Sequence, residues 1–432
     1  MKKKHKLLTT IAAFFMFAAN GFAAESIQVL SFKDGHSLAV QERLGEFEKE
    51  TGIKVSLDLL PAASVSSKIL ADQLGGGRYD GYLVDEPFMP QLSRFLVPLR
   101  DWPAQPSTPT GGGAGAAAAG ATDFEGFVEP AVRGASVDKI QYGLPVNGNV
   151  YLFIYRSDLY NDPKMQAEFK AKFGTDLKPP ETPAELLRLA EFFYRPPALY
   201  GFAPFTKASE GTTVEAMWLF GLLGMKLVDD NNQVVMNREQ VTRAFEFYRS
   251  LMQFAPRGSR SWHHVERMNA YSKGQIAQMM TWPSFLKDLE DPKRSLVVGK
   301  TAYGVLGAPI AGSWTFGISK KSKNPAAAAR FARWWAGAKS GAALIPKGMN
   351  PARIDLLTEP TLVQDNPWFP AIIKNFERAQ VRPRVSNYRE LSQAISDGFT
   401  AAVTAGDPGT ACAECNRIGE EMLAKLTKQL KK

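Results

Sequence analysis

The chain has 432 residues, 45% hydrophobic and 22% charged, a balance that fits a folded globular protein and excludes a largely disordered or collagen-like one. That length holds two or three ordinary domains or one large bilobed unit. The formal charge of +9 points at first to nucleic acid, but four of the positive charges are Lys2, Lys3, Lys4 and Lys6, packed ahead of the apolar run Leu7–Ala19.

A basic start, an apolar stretch and the small residues Gly21, Ala23 and Ala24 make residues 1–24 a secretory signal peptide, with cleavage after Ala23 or after Ala24. No cysteine stands at the cleavage point, so no lipid anchor is expected there. Beyond the leader there is no apolar run of membrane-spanning length. Without the leader's lysines the charge falls to about +5. The expectation is a periplasmic protein with no nucleic-acid partner.

Along the mature chain, Ile27–Phe32 alternates and is rich in β-formers, which predicts a first strand. Ser37–Glu50 carries apolar residues at helical spacing and stops at Thr51-Gly52; Ile53–Leu57 reads as a second strand. A helix over Ser66–Leu74 ends at a run of three glycines, and Tyr79–Val84 follows as a short strand. Strands alternating with helices predict an α/β fold with a mainly parallel sheet and ligands at the carboxyl ends of its strands. Residues 103–121 break the pattern with three prolines and then Gly and Ala. A formal G-x-G-x-x-A match lies inside, but its Pro-rich lead-in denies it the strand a nucleotide site needs, so the segment reads as a flexible insertion.

The α/β pattern resumes at Tyr142-Gly143-Leu144-Pro145 and the apolar strand Val150–Tyr155. Thr182-Pro183-Ala184-Glu185 has the form of a capping box with Pro at the first helical position. Further helices are predicted over Val214–Leu223, Arg238–Phe254, Val265–Lys273 and Pro325–Ala336, and strands over Ile276–Met280, Ala302–Leu306 and Trp314–Ile318. From Asn387 the chain reads as helical, broken at Gly406-Asp407-Pro408-Gly409.

Several segments, in order, resemble the extracellular solute-binding proteins of ABC importers, the carbohydrate-binding family that includes maltose-binding protein. They are Glu46–Val55, Tyr79–Phe88 closing on Leu96–Leu99, Tyr142–Pro145 with Tyr155–Leu159, Lys273–Met279 before Trp282, Gly312–Ser319 with Lys323-Asn324-Pro325, and Asn350–Arg353. The resemblance spans almost the whole mature chain; the insertion is its main departure. It implies two α/β lobes, a hinge and a ligand cleft, with crossings near Val146–Val150, Ile310–Ser313 and Gly348–Ala352. One lobe then takes residues 25–148 and 313–350, and the other 149–312 and 351–432. It implies a receptor that closes on a sugar or polyol and hands it to a transmembrane permease; a monomer with no cofactor and no metal is expected. Periplasmic binding proteins are a standard example of such hinge closure.

A sugar offers apolar CH faces to aromatic plates and hydroxyl edges to fixed polar groups. Trp314 starts a strand after the second crossing, where the family places an aromatic contact, and Trp282 follows a strand end; for both the alternative is core packing. Trp334 and Trp335 read as structural. Asp85 and Glu86 lie just past a strand's carboxyl end, backed by Phe88, with a solvated turn or a helix cap as the alternative. Asp34 and His36 hold the comparable place in the first loop, His36 being either a contact or a surface or cap residue. Asn147 and Asn149 at the first crossing either reach both lobes or serve a turn. Arg353 is either a ligand contact or an ion-pair anchor.

Other chemistry is weakly represented. No HExxH, Walker A or G-x-S-x-G motif is present. Asp85 and Glu86 as a glycosidase pair would have to flank a bond, whereas neighbours on an extended segment point apart. Cys412 and Cys415 form a C-x-x-C without a following His or a preceding strand, so a local disulfide is expected in an oxidising compartment. Alternatives to sugar capture are an anionic ligand such as a sugar phosphate, a glycan-processing enzyme, and a non-transport adaptor of the same fold.

Overall fold

The computed structural model describes residues 25–103, 124, 126–229 and 231–431, so the predicted leader and nearly all of the predicted insertion lie outside the described residues. Ten strands are present among them: β1 Ser26–Phe32, β2 Lys54–Leu60, β3 Gly81–Asp85, β4 Ser136–Val137, β5 Ile140–Gln141, β6 Leu144–Asn147, β7 Leu152–Arg156, β8 Gln278–Thr281, β9 Thr301–Gly304 and β10 Trp314–Ile318. Five form one sheet in the order β2-β1-β3-β10-β6, three form a second in the order β8-β7-β9, and β4 pairs with β5. We call the five-stranded side the first lobe and the three-stranded side the second.

The mainly parallel sheet expected from the sequence needs correction. β1 runs parallel to β2 and β3, but β10 lies antiparallel between β3 and β6, and the three-stranded sheet is antiparallel at both pairings. The reason is topological. After β6 the chain leaves for the second lobe and returns at the interlobe end of the sheet, so β10 begins beside the residues where β3 finishes.

Tyr82, Leu83 and Val84 of β3 are fully buried, as a central strand covered on both faces requires. The predicted first helix is two helices, Gly35–Glu42 and Leu44–Thr51, broken at Arg43. Helix Pro325–Ala336 has Pro in its first turn and buries Ala327, Ala328, Ala329 and Ala332. These small side chains bring it close to β6 and β10, while Phe331 and Trp335 fill the core beyond them.

In the second lobe, Thr182 and Glu185 form the expected capping box at the start of helix Pro183–Phe192. Helices Glu210–Leu222, Arg238–Met252, Tyr388–Thr404 and Cys415–Leu430 make a layer around Trp218, whose indole N–H donates to the Leu306 carbonyl at 2.9 Å. Cys412 and Cys415 are disulfide-bonded where the last of these helices begins. Arg249, buried on the neighbouring helix, donates to the carbonyls of Ala402, Asp407 and Thr410 and fixes the loop before the disulfide.

The passages between lobes are bonded backbone to backbone. Gly148 N donates to Asn350 O at 3.1 Å, Tyr151 N to Ile310 O at 2.8 Å and Gly312 N to Asn149 O at 2.9 Å. Past residue 350 the chain stays with the first lobe for a few residues: Arg353 bridges Phe127, and helix Ile354–Leu357 packs on helix Ala338–Leu344. Helix Phe369–Phe376 then packs on β7 and β9.

Candidate functional site

The interlobe end of the five-stranded sheet brings together residues far apart in sequence. Trp314 pairs with Asp85 on one side and Asn147 on the other. Directly opposed residues in antiparallel strands face the same way, so the three form a row. Phe32, the last residue of β1, stacks on Trp314 with ring centroids 4.0 Å apart. Trp314 is only 7% exposed, and a cavity of about 10 Å³ beside it is lined in part by Val65, Ile69, Asp85 and Phe88. That volume holds about one water molecule.

Glu86 follows in a short 3-10 turn, with its N–H on Ser313 O at 3.3 Å. This turn corrects one expectation. Strand alternation ends at Asp85, so the two carboxylates do not diverge but meet one guanidinium, that of Arg382. Arg382 Nη1 donates to Asp85 Oδ2 at 3.1 Å, and its Nε lies 3.6 Å from Glu86 Oε1. From the second lobe, Glu210 accepts from Arg382 Nη1 at 3.0 Å and is itself held by the hydroxyls of Tyr388 and Ser392. Burial raises the Asp85 carboxyl to about 6 although Arg382 opposes it, and raises Glu86 to about 7 for the same reason.

Around this cluster lie buried polar atoms with no hydrogen-bond partner of normal geometry: both Glu86 oxygens, both amide atoms of Asn147, Asn149 Oδ1, Ser313 Oγ and Asn350 Nδ2. Buried polar groups are normally paired because leaving one unpaired costs on the order of 1–3 kcal/mol. Several such atoms at the place where two lobes meet make a surface complementary to a ligand rich in hydroxyls. Asn149 spends its amide N–H on Ser284 of the second lobe at 3.1 Å and keeps its oxygen unpaired.

The second lobe's contribution is Trp282, at the end of β8, tilted against Tyr151 at 5.0 Å. Gly312 is the residue that lets the indole in, since a Cβ there would sit 2.6 Å from the ring. Below it, Tyr151 and Tyr248 donate to Glu215, and Arg267 donates to the Tyr151 hydroxyl at 3.0 Å and to Met280 O at 2.6 Å. All four side chains are buried, so this network fixes Tyr151 and with it the seat of Trp282.

Not every candidate joins the cluster. Asp34 caps helix Gly35–Glu42 by accepting from Ser37 N at 2.9 Å through Oδ1 and leaves its buried Oδ2 without a hydrogen-bond partner; burial raises its carboxyl to about 7 against the capping bond. His36 is neither a surface nor a cap residue: it is fully buried between Phe32 and Trp335, and its Nε2 accepts from the Trp335 indole at 3.1 Å. Burial alone lowers it to about 3, so it is neutral at any ordinary pH. Arg353 pairs with Asp355 and lies over the Phe127 ring, as an anchor does. Phe88 packs edge-on against Tyr388 at 5.2 Å, beneath Arg389.

Sequence reasoning missed Arg382, Glu210, Tyr388, Ser313 and Asn350. The last two sit inside the predicted crossings and were within reach. For Arg382 the one available signal is the R-x-R spacing with Arg384 in an irregular stretch between helices.

The two sheets and the hydrogen-bonded passages between them define a two-lobed α/β protein. Residues 35–342 match the family model described as bacterial extracellular solute-binding protein, and the chain belongs to that family. It superposes on a solute-binding protein of an ABC transporter from Agrobacterium radiobacter K84 in complex with ribitol, with a TM-score of 0.78 at 19% identity over 94% of this chain and 98% of the other. Maltose-bound MalE3 from T. maritima gives a TM-score of 0.75 at 20% identity, covering 94% and 99% of the two chains. A protein of Agrobacterium vitis S4 with bound D-mannitol gives 0.74 at 19% identity, covering 94% and 99%. A curated relative from Sinorhizobium fredii, described as a probable amino-acid ABC transporter periplasmic-binding protein, is 27% identical over 264 residues, which is 60% of this chain. The alignment spans 59% of that relative's length. Among the described residues no helix is long and apolar enough to cross a membrane.

Proposed function

We propose that the protein is a periplasmic receptor that closes on a neutral sugar or polyol and presents it to the permease of an ABC importer. The carrying observation is the set of buried hydroxyl, amide and carboxyl atoms of Glu86, Asn147, Asn149, Ser313 and Asn350 that have no hydrogen-bond partner, near Trp314 and, through Gly312, Trp282. Such groups exchange hydrogen bonds with hydroxyls, while an indole covers a CH face. The ribitol, D-mannitol and maltose carried by the structural neighbours support this reading. Trp314, Trp282, Asp85, Glu86, Asn147 and Asn149 are the proposed contacts, and the two lobes are proposed to close by hinge motion without turnover.

An anionic ligand finds less support. Arg382 is committed to Asp85 and Glu210, Arg384 to backbone carbonyls and Arg353 to Asp355. Isothermal titration against pentitols, hexitols, mono- and disaccharides, sugar phosphates and amino acids tests the proposal. Saturable heat with a neutral polyhydroxy compound is expected; binding of amino acids alone would replace this reading.

A further inference from the structure

The interlobe contacts of the stretch Arg382–Arg389 are of another kind from those a ligand makes, because they join protein to protein. The stretch sits on the second lobe: Gln380 is bonded to Pro309 and Ala311 on one side, and helix Tyr388–Thr404 begins on the other. From there four side chains reach the first lobe. Arg382, 3% exposed, grips Asp85. Arg384 donates to the carbonyls of Arg133 and Gly134, the latter at 3.0 Å, and to that of Ser136. Arg389 Nη2 donates to Ser66 Oγ at 2.6 Å while its guanidinium covers the Phe88 ring, and Tyr388 meets the edge of the same ring.

Each anchor is held from behind or aimed at a rigid partner. Glu210 fixes Arg382 from the second lobe, with Tyr388 and Ser392 holding Glu210 in turn. The carbonyls that Arg384 meets belong to the end of helix Glu129–Gly134 and the start of β4. A charge-assisted hydrogen bond between buried groups is among the stronger polar contacts a protein makes. A guanidinium whose donors point along fixed directions loses less entropy per bond than a lysine would.

We propose that Arg382–Arg389 is an interlobe clasp, which holds the two lobes closed through protein contacts alone and sets how far the closed form is populated before any ligand arrives. A ligand then meets a cleft that must open to admit it and that recloses with the clasp's help. The population of the open form limits entry, while the clasp slows release.

The test uses the full mature protein, refolded from guanidinium to free it of any carried ligand, and reads overall shape by small-angle X-ray scattering. Since no ligand is added, failure of the sugar reading leaves this test intact. For a compact chain of this length the radius of gyration is about 22 Å. Arg382→Ala is expected to raise it measurably above the parent's value, as opening of two lobes does. The double variant Arg384→Ala/Arg389→Ala, which leaves Arg382 and its ion pairs in place, is expected to raise it in the same direction and serves if Arg382→Ala does not fold, as judged by circular dichroism. A radius unchanged in the folded double variant, or in folded Arg382→Ala, overturns the clasp.

Discussion

The indole of Trp314 lies on the ring of Phe32, centroids 4.0 Å apart and planes 26° from parallel. One face of the tryptophan is thereby committed to the protein and its orientation is set by the end of β1. Trp314→Ala is expected to weaken the proposed sugar binding at least tenfold, about 1.4 kcal/mol. It also opens a cavity in the core that costs about 3–5 kcal/mol of stability. Titration calorimetry and urea denaturation separate the two effects. A loss of stability with affinity unchanged in the folded variant would make Trp314 packing only.

Glu86 carries a proton more tightly folded than unfolded, its carboxyl being raised from 4.5 to about 7 by burial while Arg382 pulls the other way. The sign follows from proton linkage. Its contribution to stability is complete below 4.5 and is lost as pH rises through about 7. Glu86→Gln, which keeps the shape and removes the titration, is therefore expected to gain on the parent as pH rises from about 5 to about 8. Urea midpoints at several pH values check this; a constant gap between the two proteins would show that the group does not titrate there.

His36 works in the opposite sense. Burial lowers it from 6.5 to about 3, so the folded protein keeps it neutral where the unfolded chain would charge it. Its contribution is present above 6.5 and is lost as pH falls toward about 3. His36→Phe is expected to flatten the acid limb of the stability profile. Because Glu86 and Asp85 slope the other way over much of this range, the informative quantity is variant minus parent, read from denaturation midpoints at each pH.

Arg267 lies 3.4 Å from Glu215 with both side chains buried. Arg267→Ala leaves that carboxylate without its cation and is expected to cost about 3–5 kcal/mol. Replacing both residues together by apolar ones of similar volume is expected to cost less than the single change, because no unpaired charge remains. Chemical denaturation of the two variants decides; equal losses would show that packing rather than charge sets the cost.

The Cys412–Cys415 disulfide closes a loop of four residues, and chain entropy for so short a loop gives about 2 kcal/mol. Cys412→Ala/Cys415→Ala is expected to lower the unfolding free energy by that amount, read from denaturation curves, and leave ligand affinity unchanged. A shift in affinity would tie the packing of helix Cys415–Leu430 to the cleft.

Much of the fold is legible in the residues. Trp314–Ile318 and Pro325–Ala336 were bounded from sequence as they stand in the structure, because a short apolar run and a Pro-started amphipathic stretch each have a local cause. The direction of β10 was not legible, since pairing partners are set by where the chain re-enters the sheet. The site divides in the same way. Asp85 and Glu86 lie at a strand end, where position in an α/β pattern already marks them, and Asn147 was marked by the crossing that the family resemblance implies. Arg382 lies in a stretch with no periodicity, and only the folded chain brings it to Asp85. His36 reads as a loop residue because nothing local says that Trp335, 299 positions on, supplies its partner.

The passages between the lobes touch at Gly148, where a Cβ would lie 2.2 Å from the Pro351 carbonyl oxygen. With Gly148 bonded to Asn350, and Asn149 and Tyr151 bonded to Gly312 and Ile310, the three passages are laced edge to edge like strands of a narrow sheet. A hydrogen-bonded ribbon resists shearing and stretching in its own plane, because either motion breaks its bonds, yet it bends and twists across the plane by small dihedral changes. This lacing favours bending and twisting over sliding as the way the proposed closure would proceed, and any side chain larger than glycine at position 148 would wedge the ribbon apart.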